Sequence, residues 1–322
     1  MAKEIEVLNK LREDIQRELE NLECIIAWEQ GFDPLHATPC FIRQREDLER
    51  LIWNPLCVHN LASYLPWLKG RRVGILLKGC DSRSVVQLLQ EGLIRREDVV
   101  IFGIPCRGIV DLSKIRARIN TSQVKGVSFK NDTITIETSQ GVENIPLDDV
   151  LATKCLSCQY PTPVLYDYLN GDALPAQRAT ELLYTDVEKI ETMGIKERLA
   201  YWERELDRCI RCYACRNACP MCVCQDFCAA DARNPHWLSQ KTGIGEKVMW
   251  HIMHALHLAG RCTDCGECER ACPMDIPIQR IRRKINKEIR ELFDYEAGIS
   301  PDGKPPLYTF QPEEPTIKEK EW

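Results

Sequence analysis

The sequence has no run approaching the ~18 uncharged apolar residues that a membrane span needs. Its opening stretch, MAKEIEVLNKLREDIQRELENLE, is charged throughout and lacks the apolar core of a signal peptide, so the expected location is the cytoplasm. It also lacks a G-x-G-x-x-G fingerprint and a P-loop: GILLKGC carries one glycine before the strand core and one after it. No Ser/His/Asp or paired-glutamate constellation points to hydrolysis. Positive charge is in short supply too. Lys and Arg number 43 against 48 Asp and Glu, a net charge of −5, which argues against nucleic acid as the main partner.

Cysteine is what the chain has in excess, with 18 in 322 residues. Outside a secreted context, that many thiols mean metal ligands rather than disulfides. Oxygen-labile clusters would suit an anaerobic, strongly reducing setting. Eight of the cysteines fall into two matching runs, Cys209-x2-Cys212-x2-Cys215-x3-Cys219-Pro220 and Cys262-x2-Cys265-x2-Cys268-x3-Cys272-Pro273. This is the bacterial ferredoxin pattern for two [4Fe–4S] clusters, written twice. A thiolate every three residues lets one short loop wrap three irons of a cubane. The fourth cysteine, before proline, ligates the other cluster in two-cluster ferredoxins. The expected sets are therefore Cys209, Cys212, Cys215 and Cys272 for one cluster, and Cys262, Cys265, Cys268 and Cys219 for the second. Zinc also takes Cys-x2-Cys, but it has no use for a third cysteine at the same interval or for Cys-Pro.

At 322 residues the chain can bury a sizeable core and form two domains. Ile5, Leu8, Leu11, Ile15, Leu19 and Leu22 recur at helical spacing. CIIAW, from Cys24 to Trp28, reads as a short strand ending at Gly31. Residues 46–65 read as one or two helices broken at Asn54-Pro55. Arg72 to Lys78 is a buried-type strand, and SVVQLLQEG a helix capped by Asp81 or Ser82 and stopped by Gly92. Asp98 to Gly103 is a second strand. This βαβ unit places the loops carrying Cys80 and Cys106 at one edge of a parallel sheet, where ligands gather. Residues 124–151 alternate polar and apolar, with turns at Asn131-Asp132 and Gln140-Gly141, as in an antiparallel meander. Helices are expected over 196–208, 246–258 and 278–293, with an insert separating the two cysteine runs. The resulting fold class is an α/β (α+β) N-terminal domain with a small, mostly parallel sheet over 1–170. A linker over 171–198, a dicluster ferredoxin-like domain with a helical insert over 199–300, and an extended tail over 301–322 follow. The Pro- and charge-rich tail could lie on a partner.

Cys80, Cys106, Cys155 and Cys158 form a possible third site, with two thiols from neighbouring strand ends and two from one Cys-x2-Cys loop. The site suits a cubane or a zinc; the alternative is buried free thiols plus a coincidental pair. Cys222, Cys224 and Cys228 follow directly on Cys219-Pro220. With Cys57 or Cys24 they could hold a fourth cluster, or they could line the first and tune it. Cys40 reads as a buried apolar residue. His251, His254 and His257 drift around their helix and read as structural, with His257 near the second cluster. Lys78, Asp81 and Arg83 surround Cys80, either as an anion or FAD site or as a solvated rim.

KGCDSR (Lys78 to Arg83), GIPC (Gly103 to Cys106) and KCLSC (Lys154 to Cys158) resemble the coenzyme F420 hydrogenase/dehydrogenase beta-subunit family. WNPLCVHNLA (Trp53 to Ala62) is similar to the version fused to a dicluster ferredoxin domain. The resemblance spans roughly residues 20–170 plus the ferredoxin region. It implies an FAD-binding α/β domain beside a [4Fe–4S] cluster, in assemblies of the formate dehydrogenase or heterodisulfide-reductase kind. The flavin would convert hydride from a deazaflavin or nicotinamide into single electrons. This chain departs from the family in that the ferredoxin runs follow the α/β domain and no F420-binding loop is recognisable. The expected function is an iron–sulfur electron-transfer subunit of an anaerobic oxidoreductase complex. The alternative is an FAD-dependent F420- or NAD(P)-oxidoreductase subunit. A redox sensor is disfavoured, since two ferredoxin clusters exceed what a switch needs and no DNA-reading element is visible.

Overall fold

The computed structural model describes residues 2–130, 132–176, 183–224, 228, 239 and 241–310. The expected turn residue Asn131, part of the linker, most of the insert between Cys224 and Ser239, and the tail beyond residue 310 lie outside the described residues.

The N-terminal half is built on a five-stranded sheet. Its strands are β1 (Ile25–Gln30), β2 (Ala37–Ile42), β3 (Val73–Leu77), β4 (Val99–Gly103) and, after three intervening strands of a separate sheet described below, β8 (Tyr168–Leu169), in the order β2-β1-β3-β4-β8. Only the β1–β2 pairing is antiparallel. The sheet is therefore mixed and mostly parallel. VGILL and VVIFG are buried at every position, as central parallel strands must be. Helix α1 (Ala2–Glu18) buries Leu11 and Ile15 in the same core.

Between β3 and β4 runs α2 (Gly79–Gln90), whose buried residues include Asp81, Ser82, Arg83, Ser84 and Gln87. It starts earlier than the sequence suggested: Lys78 is the N-cap residue and no side chain caps the helix. Asp81 is instead drawn to the Lys78 ammonium, 2.7 Å away. The polar residues of α2 serve as fasteners. Ser84 shares a hydrogen bond with Thr263 at 2.9 Å, Arg83 donates to the Ala297 carbonyl at 2.8 Å, and Glu91 just beyond the helix pairs with Arg261 at 2.5 Å. Each contact ties the sheet-bearing half to the cysteine-rich half.

Short helix α3 (Leu112–Arg116) leads to a separate antiparallel meander of β5 (Val124–Lys130), β6 (Thr133–Thr138) and β7 (Gly141–Pro146), which buries Ile134, Ile136 and Ile145. Then α4 (Leu147–Val150) feeds a 3-10 turn over Thr153–Ser157 that carries Cys155. The expected helices of 46–65 are 3-10 turns at Arg45–Arg50 and Leu61–Leu68, the second containing Pro66. Strands β2 and β8 carried no usable signal. One is an edge strand containing Pro39, and the other has only two residues.

The cysteine-rich half comprises α5 (Thr185–Glu191), α6 (Ile195–Asp207), α7 (Ala214–Asn217), α8 (Ile244–Leu256), α9 (Glu267–Arg270) and α10 (Ile278–Phe293). α10 has the limits expected from sequence. The two cysteine runs fold alike. Arg211 (φ 52°) and Tyr213 (φ 60°) flank Cys212, and Asp264 (φ 56°) and Gly266 (φ 71°) flank Cys265. In each loop, left-handed residues on either side of the middle cysteine coil the chain tightly. Short α7 and α9 then carry the third cysteine. No described helix is long and apolar enough to cross a membrane.

Gly79 marks the tightest approach near the sheet edge: a Cβ there would lie 1.7 Å from the Tyr160 carbonyl oxygen. Gly79→Ala should therefore cost about 3 kcal/mol through overpacking against backbone. Anaerobic denaturant unfolding checks this, and a change under about 0.5 kcal/mol would contradict the packing described.

Candidate metal centres

Helix α6 delivers Cys209 to the first loop, and α7 positions Cys215. The second run returns Cys272 to the same place. Cys209, Cys212, Cys215 and Cys272 line one cavity of about 320 Å3, together with Tyr213, Trp250 and His251. The Arg211 amide donates to the Cys209 sulfur at 3.3 Å. Burial pushes the Cys215 thiol up to about 12, and the neighbouring Cys272, Cys209 and Cys212 push the same way. His251 is buried with both ring nitrogens unpartnered, and burial lowers it to about 4.

Cys219, Cys262, Cys265 and Cys268 line a second cavity, of about 340 Å3, with Leu258, Gln279 and Arg282. The four sulfurs thus come from both runs, with the residue before each Cys-Pro proline crossing over. Burial raises Cys262 to about 12 and Cys265 to about 11. Arg282 is buried, and its Nε and one Nη find no partner among the described residues.

The third group assembles at the carboxyl ends of β3 and β4. The Leu77↔Gly103 register brings the two strands out of the sheet side by side. Cys80 follows β3 and Cys106 follows β4, while Cys155 and Cys158 come from the 153–157 turn. All four line a cavity of about 890 Å3 with Arg83, Lys154, Tyr160 and Tyr184. The Ile109 amide donates to the Cys155 sulfur at 3.4 Å. Cys262, Thr263 and Asp264 belong to the walls of both this cavity and the second one. Lys154 spans the boundary: its ammonium lies 3.8 Å from the Cys80 sulfur and donates to the Cys265 carbonyl.

The residues present fit iron–sulfur clusters. Each cavity offers four thiols, and two of them hold buried side-chain nitrogens, on His251 and Arg282, that have no partner among the described residues. Among the described residues no three His, Cys, Asp or Glu side chains converge as ligands of one ion. A cubane engages one thiolate per iron, so its ligands stand apart.

The remaining expectations separate. The Cys222 thiol hydrogen-bonds Cys219 and lies 3.1 Å from His254 Nε2, which puts it beside the second set rather than the first. Cys224 instead hydrogen-bonds Cys228. Cys24 is buried next to β1 in the N-terminal core, and so is Cys57, whose sulfur is 3.9 Å from the Ile52 carbonyl. Cys40 is buried in the same core. His251 and His254 are buried while His257 is exposed, so His254 is the histidine beside the second set.

Lys78, Asp81 and Arg83 are neither a solvated rim nor free cations. Lys78 is buried, donates to the His59 carbonyl at 2.6 Å as well as to Asp81, and lies over the Trp28 ring. Burial works against its charge, but Asp81 and Cys80 together hold it above the ordinary lysine value. Arg83 pairs with Glu296 at 2.9 Å and stacks on Tyr160. Sequence reasoning missed Arg282, Lys154 and His254 as parts of these sites. Their only signal is a polar residue on the inner face of an element, which apolar periodicity does not register.

Over 345 aligned positions the chain is 22% identical to the F420-dependent formate dehydrogenase subunit beta of Methanocaldococcus jannaschii, covering 89% of this chain and 90% of that protein. It is 23% identical to the F420-dependent formate dehydrogenase 1 subunit beta of Methanococcus maripaludis, covering 88% of each. The chain is thus similar to these beta subunits along most of its length. Residues 205–276 match the 4Fe-4S dicluster domain family. The resemblance drawn from KGCDSR, GIPC and KCLSC therefore holds over nearly the whole length. A chain of the F420-reducing [NiFe] hydrogenase complex from Methanosarcina barkeri superposes with a TM-score of 0.37 at 15% identity, over 64% of this chain and 90% of that one. A likeness that slight carries no structural argument.

Cys219→Ala tests the crossing of ligands between runs. It should weaken the EPR signal of the cluster held by Cys262, Cys265 and Cys268 more than that of the other. Selective loss of the Cys209–Cys215 cluster would contradict the arrangement.

Proposed function

We propose that this protein is an iron–sulfur electron-transfer subunit of a multi-subunit oxidoreductase, carrying [4Fe–4S] clusters in its three four-cysteine cavities. The observation that carries this reading is the continuity of those cavities. The third shares Cys262, Thr263 and Asp264 with the second, and the second lies against the first through the crossed cysteines. Each bound cluster takes up and releases one electron at a potential set by hydrogen bonds, charge and burial.

The chain's own residues give that route its ends and its insulation. Cys80, Cys106, Cys155 and Cys158 hold the end inside the α/β half. Lys154 places a cation between this end and the middle cluster. Trp250, Leu206 and Ile278 exclude water around the first set. Cys212 is exposed, so the outermost cluster opens to a partner. That partner is a formate dehydrogenase- or hydrogenase-type subunit, or one of heterodisulfide-reductase type. The similarity to F420-dependent formate dehydrogenase beta subunits supports the first of these. Cytoplasmic residence and an anaerobic setting follow from the same reading.

One observation favours a second reading, a flavin-containing subunit that splits hydride into single electrons. A groove of about 1600 Å3 runs from His36 and His59 past Lys154 to Cys272. It is open to solvent and reaches the wall of the first cluster cavity at Cys272 and Pro273.

Anaerobically purified full-length protein should contain about twelve irons and matching acid-labile sulfide per chain. A value near eight would remove the third cluster, and one near sixteen would place a fourth at Cys222, Cys224 and Cys228. Zinc in place of iron would overturn the proposal. Acid-released flavin near one per chain would establish the second reading, and its absence at full iron content would leave the relay.

A further inference from the structure

The second cavity contains a group that neither the ferredoxin pattern nor the relay reading assigns. Arg282 projects from the buried face of α10 and is 2% exposed. Its one hydrogen-bond partner among the described residues is His254 Nδ1, at 2.9 Å, and no described carboxylate pairs with it. An uncompensated guanidinium inside a protein costs far more than one hydrogen bond returns. It lines the second cavity together with Cys219, Cys262, Cys265 and Cys268, the sulfurs that become negative when ligated.

Donor and acceptor roles along the neighbouring contacts are fixed by chemistry. A guanidinium only donates, so His254 Nδ1 must accept. The ring is buried and neutral, and its proton therefore sits on Nε2. That Nε2–H points at the Cys222 sulfur, 3.1 Å away, which leaves the Cys222 S–H free to donate. Its neighbour is Cys219, a second-set thiol. In the unligated thiols the Cys219 S–H is itself the donor to Cys222; with Cys219 a ligand thiolate, which can only accept, the contacts would run from Arg282 through His254 and Cys222 to Cys219 and end in a donor on that sulfur.

We infer that Arg282, with the His254–Cys222 relay ending on Cys219, is a potential-setting element that makes the second cluster the easier of the two ferredoxin-type clusters to reduce. This rests on the cluster occupancy proposed above. When a low-potential reductant supplies one electron, the cluster and its thiolates become one unit more negative. A fixed positive charge and a hydrogen-bond donor both favour that reduced form. Arg282 lines the second cavity and is not among the residues lining the first, so its influence on the first is smaller. Arg282 and Cys222 are positioning residues: they act through the cluster's ligands and surroundings.

The test is an EPR-monitored redox titration of the full-length protein, with the two signals assigned by Cys212→Ser and Cys265→Ser. Arg282→Met should make the second cluster at least tenfold harder to reduce, about 59 mV for one electron, and shift the first cluster less. Arg282→Lys, which keeps the charge, should stay within about threefold of wild type. Cys222→Ala should lower the potential of the second cluster alone, by less than Arg282→Met does. Full iron in Arg282→Met with an unshifted second cluster, or a larger shift at the first, overturns the inference. If Arg282→Met loses its iron, Cys222→Ala decides: an unchanged second-cluster potential overturns the inference. Wild-type protein lacking iron at the second set would instead sink the occupancy on which it rests.

Discussion

A thiolate in a low-dielectric interior is unfavourable unless a cation stands against it, and this fold buries thiols in groups of four. Burial holds Cys106, Cys215 and Cys262 up at about 12, and each group's neighbours add their own repulsion. Left to themselves such cavities would keep their protons and pack poorly. Iron replaces the protons with positive charge and fills the space, and metal binding becomes part of the folding free energy. The cations built in nearby, Arg282 and Lys154, make sense on the same ground: each lies against sulfurs that become negative when ligated.

The second constraint is mechanical. The proposed electron transfer between the α/β half and the ferredoxin-like half would require the two to be held at fixed distance. Helix α2 does this with polar side chains turned inward. Ser84 meets Thr263, Arg83 meets Ala297 and Glu296, and Glu91 meets Arg261. Buried polar contacts of this kind are directional, so they fix relative position more tightly than apolar packing alone. Gly298, at φ 73° with no room for a Cβ beside the Arg83 carbonyl, lets the chain after α10 come close enough to join them.

Much of this could be read in the sequence where one residue type carries the signal. The cysteine intervals pointed to the two ferredoxin loops, and the buried runs of β3 and β4 pointed to a sheet edge where Cys80 and Cys106 meet. The apolar spacing of α10 marked its limits. What escaped was polar and long-range. Ser84, Arg83 and Gln87 look like the outer face of a helix until the other half covers them. Arg282 sits within IRRKINK, where one basic residue in a charged helix cannot be told from the next. Lys78, Asp81 and Arg83 looked like a surface constellation and are internal ion pairs. Cys222, Cys224 and Cys228 looked like a unit, yet Cys222 turns to His254 while Cys224 and Cys228 face each other.

The account depends on three compact groups of iron atoms within one fold, the second sharing a wall with the third. An anomalous difference map at the iron absorption edge, from crystals grown without oxygen, tests it most directly. The account predicts three cube-sized peaks per chain, one among Cys209, Cys212, Cys215 and Cys272, one among Cys219, Cys262, Cys265 and Cys268, and one among Cys80, Cys106, Cys155 and Cys158. Point-like single-ion peaks, or a peak whose four sulfurs all come from one cysteine run, would contradict it.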